Sequence, residues 1–197
     1  MTEAIAILQA IDLVKKIPGD FIEFGVLQGT TAVQMMSRAL AQGKKYHGVD
    51  SFEGMGVPGP HDKSPSGYVR YPKGKFKLGS KLQMAEFVAD RLLKECGPVT
   101  PRDFQLWVGF VPGVLRQITL SSISLAYVDM DHYQPTVDAL HWIWERLSLG
   151  GVILCDDVFA RADWLASKAV TEFVEKHATE LEMVGVFPDQ AMFRRLH

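Results

Sequence analysis

The chain has 197 residues, 47% of them hydrophobic, which is enough for one domain with a full core. Its 21 basic and 23 acidic side chains nearly cancel, to a formal charge of −2, which excludes broad electrostatic binding to nucleic acid or to a membrane surface. No apolar run is long enough to span a bilayer, and Cys96 and Cys155 match no metal or redox spacing, so a reduced, cytoplasmic protein is expected.

The first residues lack the basic start and small-residue cleavage site of a secretory leader. They predict an amphipathic helix within 1–17, with Ile5, Leu8 and Ile11 as its apolar face. After Pro18-Gly19-Asp20 comes a strand over 21–26, a glycine-containing turn and a helix over 30–41. A second strand covers 45–50. The segment 55–79 is rich in Gly, Pro and Lys and has no periodicity, so it reads either as a lid or substrate loop or as a surface insertion. A helix over 80–95 ends at Gly97-Pro98. A third strand covers 104–109, a short helix 112–117 and a fourth, almost wholly apolar strand 123–129. A helix over 133–147 stops near Gly150-Gly151. A fifth strand over 152–155, a helix over 164–176 and two strands near 183–187 and 191–195 complete the chain. This alternation predicts a single α/β domain over 1–197, with a mostly parallel seven-stranded sheet and helices on both faces.

Two regions carry chemistry. The first is Glu23-Phe24-Gly25-Val26-Leu27-Gln28-Gly29-Thr30, which follows a strand and opens a helix. Gly25 and Gly29 permit a sharp turn and close approach of a ligand, and the helix start at Thr30 offers free N–H groups. The turn lacks both the G-x-G-x-x-G of dinucleotide folds and the phosphate-binding P-loop pattern. Asp50 ends the next strand, roughly 20 residues on, where a carboxylate grips a ribose diol. Together these features suggest an adenosyl ligand without phosphates. A competing reading makes Asp50 a turn residue capping Ser51-Phe52-Glu53.

The second region is a set of acids at two strand ends, Asp129-Met130-Asp131-His132-Tyr133 and Cys155-Asp156-Asp157. Parallel strands would bring all four aspartates to the carboxyl edge of the sheet, where open α/β folds bind ligands. Clustered carboxylates repel, and a hard divalent cation such as Mg²⁺ relieves that repulsion. The alternative is that the same aspartates cap the following helices. His132 is a candidate base beside Asp131, since histidine is a common general base.

Four stretches, Asp20–Val26, Gly48-Val49-Asp50-Ser51-Phe52-Glu53-Gly54-Met55, Val128–Tyr133 and Gly150–Asp157, together resemble the macrocin O-methyltransferase family. The resemblance implies a Rossmann-like methyltransferase fold, S-adenosylmethionine and Mg²⁺, and a small-molecule hydroxyl acceptor such as a natural-product sugar. It implies Asp129, Asp156 and Asp157 as metal ligands, Asp131 as general base, and Glu23, Gly25, Asp50, Ser51 and Asp129 around the cofactor. Trp107 and Gly109 end the third strand, where adenine commonly lies in this fold, although Trp107 also reads as an ordinary core residue. A more distant resemblance is to catechol-type O-methyltransferases, whose base follows the first metal acid, near His132 here. Related enzymes often form homodimers. Two further readings stand beside these, a metal-dependent hydrolase or phosphoryl-transfer enzyme and a non-catalytic binding module.

Overall fold

The computed structural model describes residues 2–158 and 163–197. Met1, where the expected N-terminal helix begins, lies outside them. The elements run α1 (Thr2–Leu13), β1 (Asp20–Phe24), α2 (Thr30–Ala41), β2 (Tyr46–Asp50), α3 (Lys81–Glu95), β3 (Phe104–Val108), β4 (Ile123–Val128), α4 (Tyr133–Trp144), β5 (Leu147–Cys155), α5 (Leu165–Lys176), β6 (Leu181–Val186) and β7 (Ala191–Arg195). Short 3₁₀ turns lie at Pro60–Asp62 and Gly113–Gln117.

The strands form one seven-stranded sheet in the order β3-β2-β1-β4-β5-β7-β6. Neighbours from β3 to β5 are parallel, and β7 runs antiparallel to both β5 and β6. The order turns back on itself between β1 and β4, so the crevice of an open α/β sheet falls at their carboxyl ends.

Alternation along β1 shows how the sheet is covered. Phe21 faces a cluster built with α1, α2 and α3, while Ile22 and Phe24 face a second cluster built with α4 and α5. Strand β4 is buried from end to end, as its apolar sequence requires. Among the described residues, no helix is long and apolar enough to cross a membrane.

Two expectations need correction. The buried face of α1 is Ala6, Ile7, Ala10 and Ile11, continued by Val14 just beyond the helix, whereas Ile5 is 47% exposed. Small alanines let this helix lie close to its neighbours, so the larger Ile5 and Leu8 do not mark the inner side. Helix α4 also ends at Trp144, and β5 begins at Leu147 rather than at Val152. Gly150, with φ of 78°, takes up a shift in the β4–β5 register between Leu147 and Val152. The glycine pair is therefore a bulge inside the strand and not the stop of a helix. Helix α1 ends at Leu13, four residues before the expected 17, and the remaining boundaries agree to within two residues.

Sequence reading also passed over Lys44. Its ammonium reaches the carbonyl oxygens of Val14 (2.9 Å) and Ile17 (2.7 Å), just beyond α1, and the Ser124 hydroxyl (2.8 Å). It thereby ties the N-terminal helix to β4 through charge-assisted hydrogen bonds. Replacing it by methionine keeps the aliphatic stem and removes the donors. Lys44→Met is expected to cost about 2–3 kcal/mol, read as a lower urea midpoint with an unchanged slope; an unaltered midpoint would show that the tie is dispensable.

Candidate active site at the carboxyl edge of the sheet

The floor of the site forms where β1 and β4 end side by side. The Asp129 N–H donates to the Phe24 carbonyl and the Gly25 N–H to the Val49 carbonyl, each at 2.9 Å. Gly25 has φ of 90°, and a Cβ there would fall 1.9 Å from the Asp129 carbonyl oxygen. Only glycine lets the two tips approach this closely. Asp50, at the end of β2, ties the turn from the other side. One carboxylate oxygen accepts the N–H groups of Val26 (2.8 Å) and Leu27 (2.9 Å), and the other accepts that of Phe52 (2.7 Å). Ser51 holds the next turn by accepting from the Glu53 N–H (3.1 Å) and donating to the Gly54 carbonyl (3.3 Å).

The aspartates converge as the strand spacing suggests. Carboxylate oxygens of Asp129, Asp131 and Asp157 lie within 4.8 Å of one another. Asp156 is not part of that trio, although its charge acts on Asp129 and Asp131. Both Asp131 (φ 57°) and Asp157 (φ 56°) adopt left-handed backbone, which is uncommon for residues other than glycine. Burial pushes Asp129 well above the usual carboxylate range, and the charges of Asp156, Asp131, Asp157 and Glu23 add to the shift. Asp131 is pushed up to about 8, first by burial and then by its contact with Asp157. Among the described residues, no Lys or Arg forms an ion pair with Asp129, Asp131 or Asp157. Oxygen donors this close, with no such ion pair among the described residues, fit a hard divalent cation such as Mg²⁺.

The segment 55–79 is folded against this edge. Met55 exchanges backbone hydrogen bonds with Gly74 and Lys75 (both 2.9 Å), and a short bridge joins Lys63 to Val69. Asp62 is buried at 2% exposure and accepts the N–H groups of Tyr133 and Gly59, both at 2.7 Å. The first of these caps α4 with a side chain from another part of the chain. His132 Nε2 donates to the Tyr71 carbonyl at 2.8 Å, and Nδ1 lies 3.9 Å from Asp62. The Tyr71 hydroxyl faces both oxygens of Asp157, at 3.3 and 3.4 Å. Burial, with the charges of Asp131 and Asp157, raises the Tyr71 phenol far above its ordinary pKa, so it stays protonated and donates.

Between segment and floor lies a cavity of about 570 Å³, a size typical of small-molecule sites. Of the residues singled out in the sequence, Gly25, Asp50, Ser51, Gly109, Asp129, Asp131, His132, Asp156 and Asp157 line it. Glu23, Gly29, Thr30 and Trp107 do not. Glu23 is buried beneath the floor, where it accepts a short hydrogen bond from the Tyr46 hydroxyl. Gly29 caps α2 with left-handed backbone, and the Thr30 hydroxyl accepts from Arg91 (3.2 Å). Trp107 stacks on His47 and donates to its Nδ1 at 3.4 Å. Sequence reading missed Asp62, although it is the only acid in 55–79 and so stands out in an otherwise basic stretch.

Comparison with known proteins adds the following. The sequence model of the macrocin O-methyltransferase (TylF) family matches residues 5–195. A curated relative, 8-demethyl-8-(2,3-dimethoxy-alpha-L-rhamnosyl)-tetracenomycin-C 4'-O-methyltransferase of Streptomyces olivaceus, is 29% identical over 150 residues. The match covers 72% of this chain and 53% of the relative, so the chain spans about half the length of that protein. Among solved structures, the O-methyltransferase NovP is similar over 100% of this chain and 80% of its own, with a TM-score of 0.74 and 22% identity. Calicheamicin methyltransferase CalS11 is similar over 98% and 79%, with a TM-score of 0.74 and 21% identity. TomG of Streptomyces achromogenes, solved with S-adenosylmethionine, gives 98%, 78%, 0.60 and 16%. Likeness at these identities establishes the shared fold.

The acid cluster predicts a pH dependence. In the folded, cation-free protein Asp131 keeps its proton up to about pH 8. In the unfolded chain it is ionised above about 3.9. Between these values the folded state binds the extra proton, so stability falls as pH rises from about 4 to about 8. Melting in EDTA is expected to show that decline, and Asp131→Asn is expected to make it shallower, with the raised Asp129 supplying the remainder. An equally steep decline in the Asn variant would remove Asp131 as its source.

Proposed function

Because this chain belongs to the macrocin O-methyltransferase family, we propose that it transfers the methyl group of S-adenosylmethionine to a hydroxyl of a sugar or other small natural product, with the help of Mg²⁺. The observation that carries this reading is the acid trio of Asp129, Asp131 and Asp157 on the floor of a cavity that extends to the Gly25–Asp50 turn. The cavity thus has a cation-binding end and an end bounded by glycine backbone and Asp50. The name of the S. olivaceus relative describes transfer to the 4'-hydroxyl of a rhamnosyl group, which supports a sugar acceptor. Family membership favours methyl transfer over the phosphoryl-transfer reading, and two free thiols, Cys96 and Cys155, fit a reducing cytoplasm.

In this reading two of the trio, Asp129 and Asp157, would hold the cation together with Asp156, which lines the same cavity and which the family resemblance implies as a ligand, while the third of the trio, Asp131, is the base. A cation held there would supply Lewis-acid stabilisation of the negative charge that develops on the reacting oxygen. Residues lining the cavity align the hydroxyl oxygen, methyl carbon and sulfur. A new C–O bond forms as the C–S bond breaks, S-adenosylhomocysteine leaves, and the hydroxyl proton passes to an Asp131 carboxylate oxygen. Alignment of this kind supplies up to about 7–11 kcal/mol of a displacement barrier. His132 is less suited to take the proton, because its Nε2–H is committed to the Tyr71 carbonyl and its other nitrogen, Nδ1, lies toward Asp62 at 3.9 Å.

The test is transfer of labelled methyl from S-adenosylmethionine to a panel of glycosides and free sugars. EDTA should abolish turnover and added Mg²⁺ should restore it. Asp131→Asn should lower kcat by about 10²–10⁴-fold with cofactor affinity unchanged. Turnover that persists in EDTA would remove the cation from the reaction, and an Asn variant at full rate would remove the base.

A further inference from the structure

The segment 55–79 does more than roof the cavity. Its Tyr71 is 6% exposed and supplies the hydroxyl that faces both oxygens of Asp157 and also interacts with the neighbouring Asp131 carboxyl. The ring is held from several sides, by the Lys75 ammonium 4.7 Å from its centroid, by the Arg70 guanidinium at 5.3 Å and by Phe76 at 5.9 Å. The Tyr71 backbone is fixed independently through His132 Nε2 at 2.8 Å. The segment's other anchor, Asp62, caps α4 at Tyr133, the residue after His132. Side chain and backbone of one residue therefore join the segment to the acid cluster on one side and to the start of α4 on the other.

We propose that Tyr71 is a positioning residue that sets the Asp157 carboxylate for the cation, so that docking of segment 55–79 and occupancy of the acid cluster are linked. The inference rests on the reading of that cluster as the cation site, and it deepens that reading by naming what regulates the site. Asp157 sits in left-handed backbone at the end of β5, and a carboxylate there needs an external partner to fix its rotation. A phenol that donates to an acceptor-only carboxylate provides it, as outer hydrogen bonds commonly do for metal-ligating side chains. Linkage then runs both ways. A docked segment tightens cation binding, and a bound cation holds the segment down by the same factor.

The experiment uses the full chain, with Mg²⁺ affinity measured by calorimetry and trypsin cleavage followed at the basic residues Lys63, Arg70, Lys73 and Lys77 of the segment. In the wild type Mg²⁺ is expected to slow cleavage. Tyr71→Phe keeps the ring and the backbone anchor, so its melting temperature should stay near that of the wild type. Its Mg²⁺ affinity should fall about tenfold, protection by Mg²⁺ should shrink, and S-adenosylmethionine affinity should not move. Asp62→Ala, which leaves every acid of the cluster in place, should speed cleavage and weaken Mg²⁺ binding in the same direction. Wild-type Mg²⁺ binding that Tyr71→Phe leaves unchanged, or that does not slow cleavage, overturns the linkage alone. A wild type that binds no Mg²⁺ overturns both the linkage and the cation site beneath it.

Discussion

Carboxylates that repel one another are held together at the ends of β4 and β5, and the backbone of the sheet is what holds them. The β4–β5 register pairs Val128 with Cys155, so Asp129 and Asp156 follow at the same level. The Asp156 N–H donates to the Val128 carbonyl (2.8 Å) and the Asp129 N–H to the Phe24 carbonyl (2.9 Å), fixing both chains as they leave the strands. Two of the acids then take left-handed backbone, at a cost on the order of 1–3 kcal/mol each. The rest of the core offsets this conformational and electrostatic strain. The electrostatic part is concentrated where a divalent charge would relieve it, and the backbone part falls in the same turns, as strain at functional sites commonly does.

The opposite end of the cavity is shaped by close backbone approach and by backbone hydrogen bonds. Gly25 admits the Asp129 carbonyl where any side chain would collide with it. Asp50 gathers three backbone N–H groups from two turns and so fixes the strand-to-helix connection. The two readings of Asp50 in the sequence, ribose acid or turn residue, are therefore not exclusive. A carboxylate offers about four lone-pair positions, and three are engaged by backbone. One acceptor position is left over on a side chain that lines the cavity and cannot swing away from it.

Signals that depend on local spacing were legible in the sequence. Strand alternation, the glycine turn and the two acidic strand ends required no knowledge of distant contacts, and they locate the carboxyl edge where the cavity lies. What was not legible depends on partners far away in the chain. Asp62 and Tyr71 meet Tyr133, His132 and Asp157 only after folding, so the 55–79 segment read equally well as a lid or a loose insertion. The inner face of α1 was hidden because it is built on Ala6 and Ala10, which carry little hydrophobic signal, while Ile5 stands outside. Gly150-Gly151 resembled a helix stop because a bulge and a C-cap need the same residue.

The pair Asp131-His132 shows how one turn divides two tasks. Adjacent residues on a regular strand would point to opposite faces, and on a helix they would diverge by about 100°. Here Asp131 is inverted, with φ of 57°, while its carbonyl accepts from the Ala166 N–H at 3.0 Å near the start of α5. That inversion lets the Asp131 carboxylate join the acids while the next side chain, His132, is buried and turned to the Tyr71 carbonyl. Sequence made them rivals for one role, whereas the backbone turns their side chains to different partners. Since they share a peptide bond, a shift of the segment that moves His132 also reorients Asp131. The acid cluster is thus coupled to segment 55–79 through the chain itself as well as through the Tyr71 hydroxyl.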